Sequence, residues 1–278
     1  MRWLVIAIVA AACGEDPIPI PPECNGSVEL CDRRYNEVAY ATTHNAMSNA
    51  QDGWQNPNQD FNIKHQLDDG VRALMLDAHE YGDGVLLCHV FCQLGSLPLA
   101  DGLRIIRDFL HSHRGEVVTI IFESYVTPEE MQTAFKQSGL DHYVHAQVAG
   151  EPWPTLRELI DADERMIVFT DDGGGTYPWY MDVWAHAYET NYQAATIDEF
   201  TCNPNRGTPG NPLFIFNHFL TNVLAEPDQA PIVNANPFLL DRARMCQQID
   251  GSLPNFVTVD FYDQGNLFDA VHALNGLP

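Results

Sequence analysis

The chain has 278 residues, 38 of them acidic against 14 basic, and a formal net charge of −24. Nucleic acid is excluded as a partner, because binding it needs a basic footprint, and a surface of this sign is repelled by strongly anionic membranes at low salt. Hydrophobic residues still make up 45% of the chain, enough to enclose a large core, so most of the acidic excess reads as a solvated surface.

In chain order, the first element is an export segment over residues 1–12. Arg2 supplies positive charge, Trp3 to Val9 a short apolar stretch and Ala10-Ala11-Ala12 a small-residue cleavage site. The stretch is too short to span a bilayer. Cys13 after three alanines resembles a bacterial lipobox whose cysteine carries a lipid anchor. The leucine usual three residues earlier is missing, so ordinary cleavage and secretion is the alternative. Gly14 to Pro22 is proline-rich and reads as an extended tether, so residues 13–34 are expected to form tether and N-terminal loop. Residues 35–278 are expected to form one monomeric domain.

Beyond Tyr35, apolar runs with period two alternate with segments of helical spacing. The predicted strands are Glu37 to His44, Val71 to His79, Val85 to His89, Val117 to Glu123, Met166 to Asp171, Pro212 to His218 and Phe256 to Asp260, with His142 to Gln147 as an irregular further one. Helical stripes fall at Leu99, Leu103, Ile106 and Leu110, at Met131, Phe135 and Leu140, at Leu156, Leu159 and Ile160, and at Leu267, Val271 and Leu274. Thr127-Pro128-Glu129-Glu130 has the cap, the proline and the acids of a helix start. Strand then helix, repeated, predicts parallel pairing through right-handed crossovers, hence a TIM-type (β/α)8 barrel. Strands ending on His44, Asp77, His89, Glu123, Asp171, His218 and Asp260 would deliver metal-binding or proton-moving side chains to one mouth. By alternation His44 shares a face with Tyr40 and Thr42, Asp77 with Met75 and His79, Glu123 with Ile121, and Asp260 with Thr258. Asp260 is thereby expected to orient an imidazole, with Asp263 the alternative, whereas His218 suits a histidine satisfied in the core.

Setting Cys13 aside leaves six cysteines, an even number in a chain bound for an oxidising compartment. Closeness in sequence pairs Cys24 with Cys31 and Cys88 with Cys92, and elimination pairs Cys202 with Cys246. Zinc at Cys88-His89-Xaa-Xaa-Cys92 is the weaker reading, since no second ligand pair lies nearby. The segment Asp171 to Asn211 is read as one long loop carrying Tyr177, Trp179, Tyr180, Trp184, Tyr188 and Tyr192, some packed on the barrel and others lining a substrate rim or resting at a membrane interface. Tyr177 and Trp179, together with His79, are the candidate substrate contacts.

Ala41-Thr42-Thr43-His44-Asn45, Gly70-Val71-Arg72-Ala73-Leu74-Met75-Leu76-Asp77, Leu86-Leu87-Cys88-His89 and Val117 to Glu123 follow one another as in the X region of phosphatidylinositol-specific phospholipase C. With Trp153-Pro154-Thr155-Leu156, Tyr177-Pro178-Trp179-Tyr180 and Val259-Asp260-Phe261-Tyr262-Asp263, the chain resembles the secreted, single-domain relatives of that family from about Tyr35 to Gly276. The resemblance implies a phosphodiesterase acting on a phosphoinositide or related lipid headgroup, with His44 as base and His89 as acid, a role suited to imidazoles that titrate near neutral pH. It also implies calcium, or magnesium, on Asn45, Asp77 and Glu123, all hard oxygen donors. Met75 stands where the eukaryotic pattern has a further acid, which leaves Glu80, His79 or water to complete the set. Asp77 stands where the metal-free bacterial enzymes have arginine. A glycerophosphodiester or sphingolipid phosphodiesterase is the alternative, weakened by the lack of a His-Arg-Gly opening, and a catalytically weak lipid- or glycan-binding barrel is a third reading, opposed by the presence of both histidines.

Overall fold

A computed structural model describes residues 18–278 except 83 and 223. The export segment and Cys13 lie outside these residues. The strands are β1 (Tyr40–Thr43), β2 (Ala73–Tyr81), β3 (Gly84–Leu87), β4 (Leu97–Pro98), β5 (Val118–Tyr125), β6 (Met166–Thr170), β7 (Met181–Asp182), β8 (Ala187–Thr190), β9 (Pro204–Gly207), β10 (Leu213–Asn217), β11 (Thr221–Asn222), β12 (Leu224–Ala225) and β13 (Phe256–Val259). The helices are α1 (Ile63–Asp69), α2 (Leu99–Ser112), α3 (Pro128–Ser138), α4 (Leu156–Asp161), α5 (Val183–His186), α6 (Ala230–Val233), α7 (Phe238–Asp250) and α8 (Leu267–Leu274).

Eight strands run parallel in the order β7-β6-β5-β2-β1-β13-β10-β8, which is their chain order taken round a circle. The sequence of strand and crossover is that of the TIM-type barrel. One seam stays open. Among the described residues no ladder joins β7 to β8; the single turn of α5 crosses there instead, and buried His186 packs beside Trp153 and Phe169 with ring centroids 5.8 and 5.7 Å away.

Side-chain alternation divides the core into two layers. Leu74, Leu76, Ile120, Phe122, Val168, Phe214, Phe216, Val257 and Val259 face outward into the helices, meeting the stripe Leu99, Leu103, Ile106 and Leu110 of α2. Tyr40, Ala73, Ile121, Ile167, Phe169, Leu213, Ile215 and Phe256 face inward, where Tyr35 and Trp153 close the lower end of the barrel, their rings 4.6 Å apart. Strands buried on both sides read as continuous apolar runs, which is why β5, β6, β10 and β13 were legible. The cap of α3 is also as expected: Thr127 Oγ1 accepts from the Glu130 N–H and the Glu130 carboxylate accepts from the Thr127 N–H.

Three expectations about strands are corrected. The run Val85 to His89 is no barrel strand. It forms β3, antiparallel to β2, because the two strands follow each other too closely in sequence, Tyr81 to Gly84, for a parallel return, which needs a crossover of about a dozen residues. His142 to Gln147 forms a 3-10 turn over Leu140–Tyr143 and then a single bridge from Val144 to Met166. The missing barrel strands, β7 and β8, lie inside the segment read as a long loop, and β9 returns antiparallel on β8. Helix α7 also escaped notice, since its buried stripe Leu239, Arg242, Ala243 and Cys246 contains an arginine. The disulfides are Cys24–Cys31, Cys88–Cys92 and Cys202–Cys246, as paired from the sequence.

Gly207 ends β9 with φ of 78°, and a Cβ there would stand 2.3 Å from the Ala187 carbonyl oxygen. Gly207→Ala is expected to cost more than about 1 kcal/mol, whereas Gly251→Ala, also at positive φ but in open space, costs less. Urea denaturation of the two variants checks this ordering.

Candidate active site

The upper ends of the inward-facing rows are polar. His44, Asp77, Glu123, Asp171, Glu189 and Asn217 line one cleft with Asn45, Phe219, Trp184, Tyr192 and Arg206. Each lies two residues beyond an inward-facing residue of its own strand, buried in every case but the half-buried Met75, so the register that packs the barrel also presents these groups.

His44 follows β1, and its backbone is fixed by N–H donation to the Val259 carbonyl at 3.0 Å and by Gln59 Nε2 donation to its own carbonyl at 2.7 Å. Its Nδ1 lies 2.9 Å from Asp260 Oδ1, and Asn58 Nδ2 reaches both oxygens of that carboxylate at 3.3 Å. Phe219 stacks on the imidazole with centroids 3.9 Å apart and planes 9° apart. The structure thus pairs Asp260 with His44; Asp263 instead faces Asp60, whose proximity, after burial, raises its pKa. His89 approaches from the β2–β3 hairpin. Its Nδ1 lies 3.0 Å from Asp77 Oδ2, and the Cys88 N–H donates to the Asp77 carbonyl at 3.2 Å. The two rings are 6.4 Å apart, centroid to centroid. Each imidazole is held at Nδ1 by its own carboxylate, which makes Nε2 the nitrogen available for proton exchange, with Asn45 the neighbour of Nε2 on His44.

Asn45 sits between the pairs in the left-handed region, at φ of 45°. With its NH2 turned to Asp77 it donates at 3.1 and 3.2 Å, and its oxygen then accepts from His44 Nε2 at 3.2 Å and His89 Nδ1 at 3.1 Å. With the opposite orientation the amide oxygen and the Asp77 carboxylate confront each other, an arrangement that a cation between them would satisfy. Glu123 accepts a hydrogen bond from the Tyr125 hydroxyl, and Asp171 from the Ser124 N–H at 2.9 Å. Among the described residues no three His, Cys, Asp or Glu side chains form a metal cluster; Asn45, Asp77 and Glu123, the residues singled out as cation ligands, bring two carboxylates and an amide to the cleft.

The electrostatics follow from burying many acids together. Burial disfavours charge on His44, but Asp260, reinforced by Asp77 and Glu123, raises its pKa above the ordinary value. Burial raises the pKa of Asp77 despite the hydrogen bond from His89, and Glu123 raises it further. Asp171 is raised likewise, by burial first and then by Glu123. Arg206 is the one cation lining the cleft among the described residues. It is committed to buried Glu189, through Nε at 2.6 Å and Nη2 at 3.2 Å, and lies between the rings of Trp184 and Tyr192 at 4.6 and 4.5 Å.

Other residues singled out in the sequence lie outside the cleft. His218 points outward into the core, where Nε2 lies 2.9 Å from the Val233 carbonyl and Nδ1 accepts from Arg242 at 2.9 Å; burial and Arg242 lower its pKa to about 3. Its neighbour Asn217 occupies the cleft position. Tyr177 and Trp179 do not reach the cleft; they pack on the helical layer, Trp179 lying 4.5 Å from Phe135 of α3. His79 stands above Asp77 on β2, stacked on Tyr125 at 4.4 Å, with a buried Nε2 that has no partner. Sequence reasoning missed Glu189, Arg206, Asn217 and Phe219. The alternating run Tyr188-Glu189-Thr190 was the available signal for Glu189, and a one-residue shift in parity for Asn217.

The PI-PLC X family model, described as PI-PLC X 1, matches residues 30–275. The chain belongs to this family. It is 32% identical over 275 residues to PI-PLC X domain-containing protein 1 of Arthroderma benhamiae, covering 91% of this chain and 90% of that protein. A PI-PLC X domain-containing protein of Arabidopsis thaliana is 30% identical over 269 residues, and the match spans 62% of its length. A secreted protein of Arthroderma benhamiae is 28% identical over 277 residues. In fold the chain is similar to a variant of phosphatidylinositol-specific phospholipase C from Staphylococcus aureus, with a TM-score of 0.60 at 12% identity over 88% of this chain and 94% of that one.

Asp260→Asn is expected to lower the His44 pKa, read by NMR titration of the ring. A folded-state pKa raised above the unfolded value near 6.5 stabilises fully below that value and is lost as pH rises through the folded one. The stability difference between wild type and variant should therefore be largest in mild acid and shrink at alkaline pH, as urea unfolding at both ends will show.

Proposed function

We propose that this protein is a phospholipase-C-type phosphodiesterase in which His44 and His89 act on opposite sides of a phosphoryl group. The observation that carries this reading is the facing pair of carboxylate-held imidazoles, His44–Asp260 and His89–Asp77, with rings 6.4 Å apart across one cleft. In the forward reaction His44 Nε2 takes the proton of a hydroxyl on the substrate's own headgroup, which attacks phosphorus. His89 Nε2 gives a proton to the departing alcohol oxygen, so that a cyclic phosphodiester and a free alcohol result. Asp260 and Asp77 hold the tautomers and offset the imidazolium charge.

Negative charge must still be neutralised, because the acids of the cleft would repel a phosphodiester and Arg206 is tied to Glu189. Asn45, Asp77 and Glu123 are the residues that would hold a hard divalent cation, calcium or magnesium, and such an ion would supply electrostatic stabilisation of the phosphoryl oxygens. The free oxygen of Asp77, Oδ1, faces Asn45 while Oδ2 serves His89, so the carboxylate can do both. On the far wall, Glu189 and Arg206 between Trp184 and Tyr192 offer acceptors, donors and ring faces suited to a polyhydroxylated headgroup. The three disulfides and the secreted relative support an exported protein, anchored through Cys13 or released.

His44→Ala and His89→Ala should each lower turnover at least about 100-fold while the fold is kept. Phosphate-product analysis on a panel of phosphoinositide, glycerophosphodiester and sphingolipid substrates checks this, and near-normal turnover in either folded variant removes that histidine from the mechanism. Chelation should abolish turnover and added calcium or magnesium should restore it; full activity in a chelator-treated, dialysed sample would refute the cation assignment.

A further inference from the structure

Asp260 stands where a carboxylate is hard to hold still. Its side chain is 6% exposed, and a single bond to His44 Nδ1 leaves it free to swivel about its Cβ–Cγ axis, because the terminal torsion of an aspartate is broad. A swivelling acceptor would turn the imidazole with it. Among the described residues Asp260 Oδ2 has one donor, Asn58 Nδ2, which lies 3.3 Å from both carboxylate oxygens and so sets the plane of the group.

Asn58 belongs to the connection between β1 and α1. Its N–H donates to the Ser48 carbonyl at 3.1 Å, and its own carbonyl accepts from the Phe261 N–H at 2.8 Å. The next residue, fully buried Gln59, donates through Nε2 to the His44 and Val259 carbonyls at 2.7 and 3.2 Å and accepts from the Tyr262 N–H at 3.2 Å. Asn234, at the end of α6, donates through Nδ2 to the Asp260 and Phe261 carbonyls at 2.8 and 3.3 Å. Three uncharged amides therefore surround the turn from Asp260 to Phe261.

Two features show that this cradle does more than pack. Phe261 is buried at φ of 48°, a left-handed conformation that an aromatic residue rarely takes and that persists only where the surroundings over-determine it. Asn58, itself buried, keeps its Oδ1 without a partner among the described residues. Turning the amide over would set that oxygen against the carboxylate, so Nδ2 has to face Asp260, and an unsatisfied oxygen is accepted to place a donor there. An amide is also the donor that adds no charge: a cation at this position would compete with His44 for the carboxylate, and an aspartate would repel it.

We propose that Asn58 is a positioning residue of the His44–Asp260 pair, fixing the plane of the carboxylate and, through it, the direction in which His44 presents Nε2. The consequence for turnover rests on the reading that His44 is the base of a phosphodiesterase; the consequence for the imidazole does not.

The test compares Asn58→Leu, which keeps the shape of asparagine without its donor, with Asn275→Ala, which removes a buried amide bonded to Ala39 before the start of β1. The first readout is independent of turnover: the His44 Nδ1 proton in the heteronuclear NMR spectrum of the full chain, assigned by its absence from His44→Ala. In Asn58→Leu this proton should exchange with water at least about tenfold faster than in the parent while the Nδ1 proton of His89 is unmoved, and Asn275→Ala should leave both unchanged. The second readout is turnover of phosphatidylinositol in detergent micelles. There kcat should fall at least about tenfold in Asn58→Leu with KM unchanged, and Asn275→Ala should keep both constants whatever its thermal midpoint. Should Asn58→Leu fail to fold, Asn58→Ser, whose one hydroxyl hydrogen serves at most one oxygen, is read in the same way. An unchanged His44 proton or an unchanged kcat in a folded Asn58 variant, or an equal change of the proton in Asn275→Ala, overturns the proposal. Absence of turnover in the parent, with the His44 proton altered in the Asn58 variant, overturns the phosphodiesterase reading and leaves the positioning role standing.

Discussion

The alternation of side chains along parallel strands is the constraint on which the rest of this molecule depends. Every barrel strand has helices on one side and a packed interior on the other, so both of its faces are committed. The rows Tyr40-Thr42-His44, Ala73-Met75-Asp77, Thr119-Ile121-Glu123, Ile167-Phe169-Asp171 and Phe256-Thr258-Asp260 all run inward and upward from an aromatic floor to a polar rim. A shift of one residue in any of them would bury a charge among the helices and empty its place in the cleft. His218 and Asn217 show the consequence within one strand: the neighbour facing out is neutral and bonded to Arg242, while the neighbour facing in meets Glu189 at 3.0 Å.

That concentration of acids sets the chemistry. Asp77, Glu123, Asp171 and Glu189 share a cleft in which one arginine is already paired, and burial with mutual repulsion raises the pKa of Asp77 and Asp171. The acidic partners, Asp260 first and then Asp77 and Glu123, also raise the pKa of His44 against the cost of its burial, and the last two are the carboxylates to which the proposed cation is assigned. A phosphodiester enters such a site only with added positive charge, which connects the proposed cation to the observed electrostatics.

The departures from a closed barrel lie around the cleft. The open seam between β7 and β8 lets α5 and β9 bring Trp184 and Arg206 to one wall, and the antiparallel β2–β3 hairpin brings His89 to the other. Cys88–Cys92 closes the loop directly beyond that histidine. The barrel's regular side, β1 and β13, supplies His44 and Asp260 from adjacent parallel strands paired Thr43 to Val259. Parallel ladder and disulfide-closed hairpin therefore each present one imidazole.

Much of this was determined by the sequence alone. Continuous apolar runs and 3.6-residue stripes announced the barrel, the cap, proline and acids from Thr127 marked α3, closeness in sequence and then elimination paired the cysteines, and period-two counting aligned His44, Asp77, Glu123 and Asp260 on inward faces. Short strands with mixed composition were not legible: Met181–Asp182 is too brief to show a period, Ala187–Thr190 shows a single alternation inside a segment read as a loop, and Arg242 interrupts the stripe of α7 because its charge is satisfied by the Asn217 and Thr201 carbonyls at 2.8 Å. Only the tertiary structure decided that Asp77 holds His89, that Asp260 rather than Asp263 holds His44, and that Tyr177 and Trp179 pack away from the cleft. The physical reason is that local periodicity states which face a residue occupies, whereas the partner across the cleft depends on strand order and direction. Those are settled by pairing between segments distant in the chain, here as far apart as His44 and Asp260.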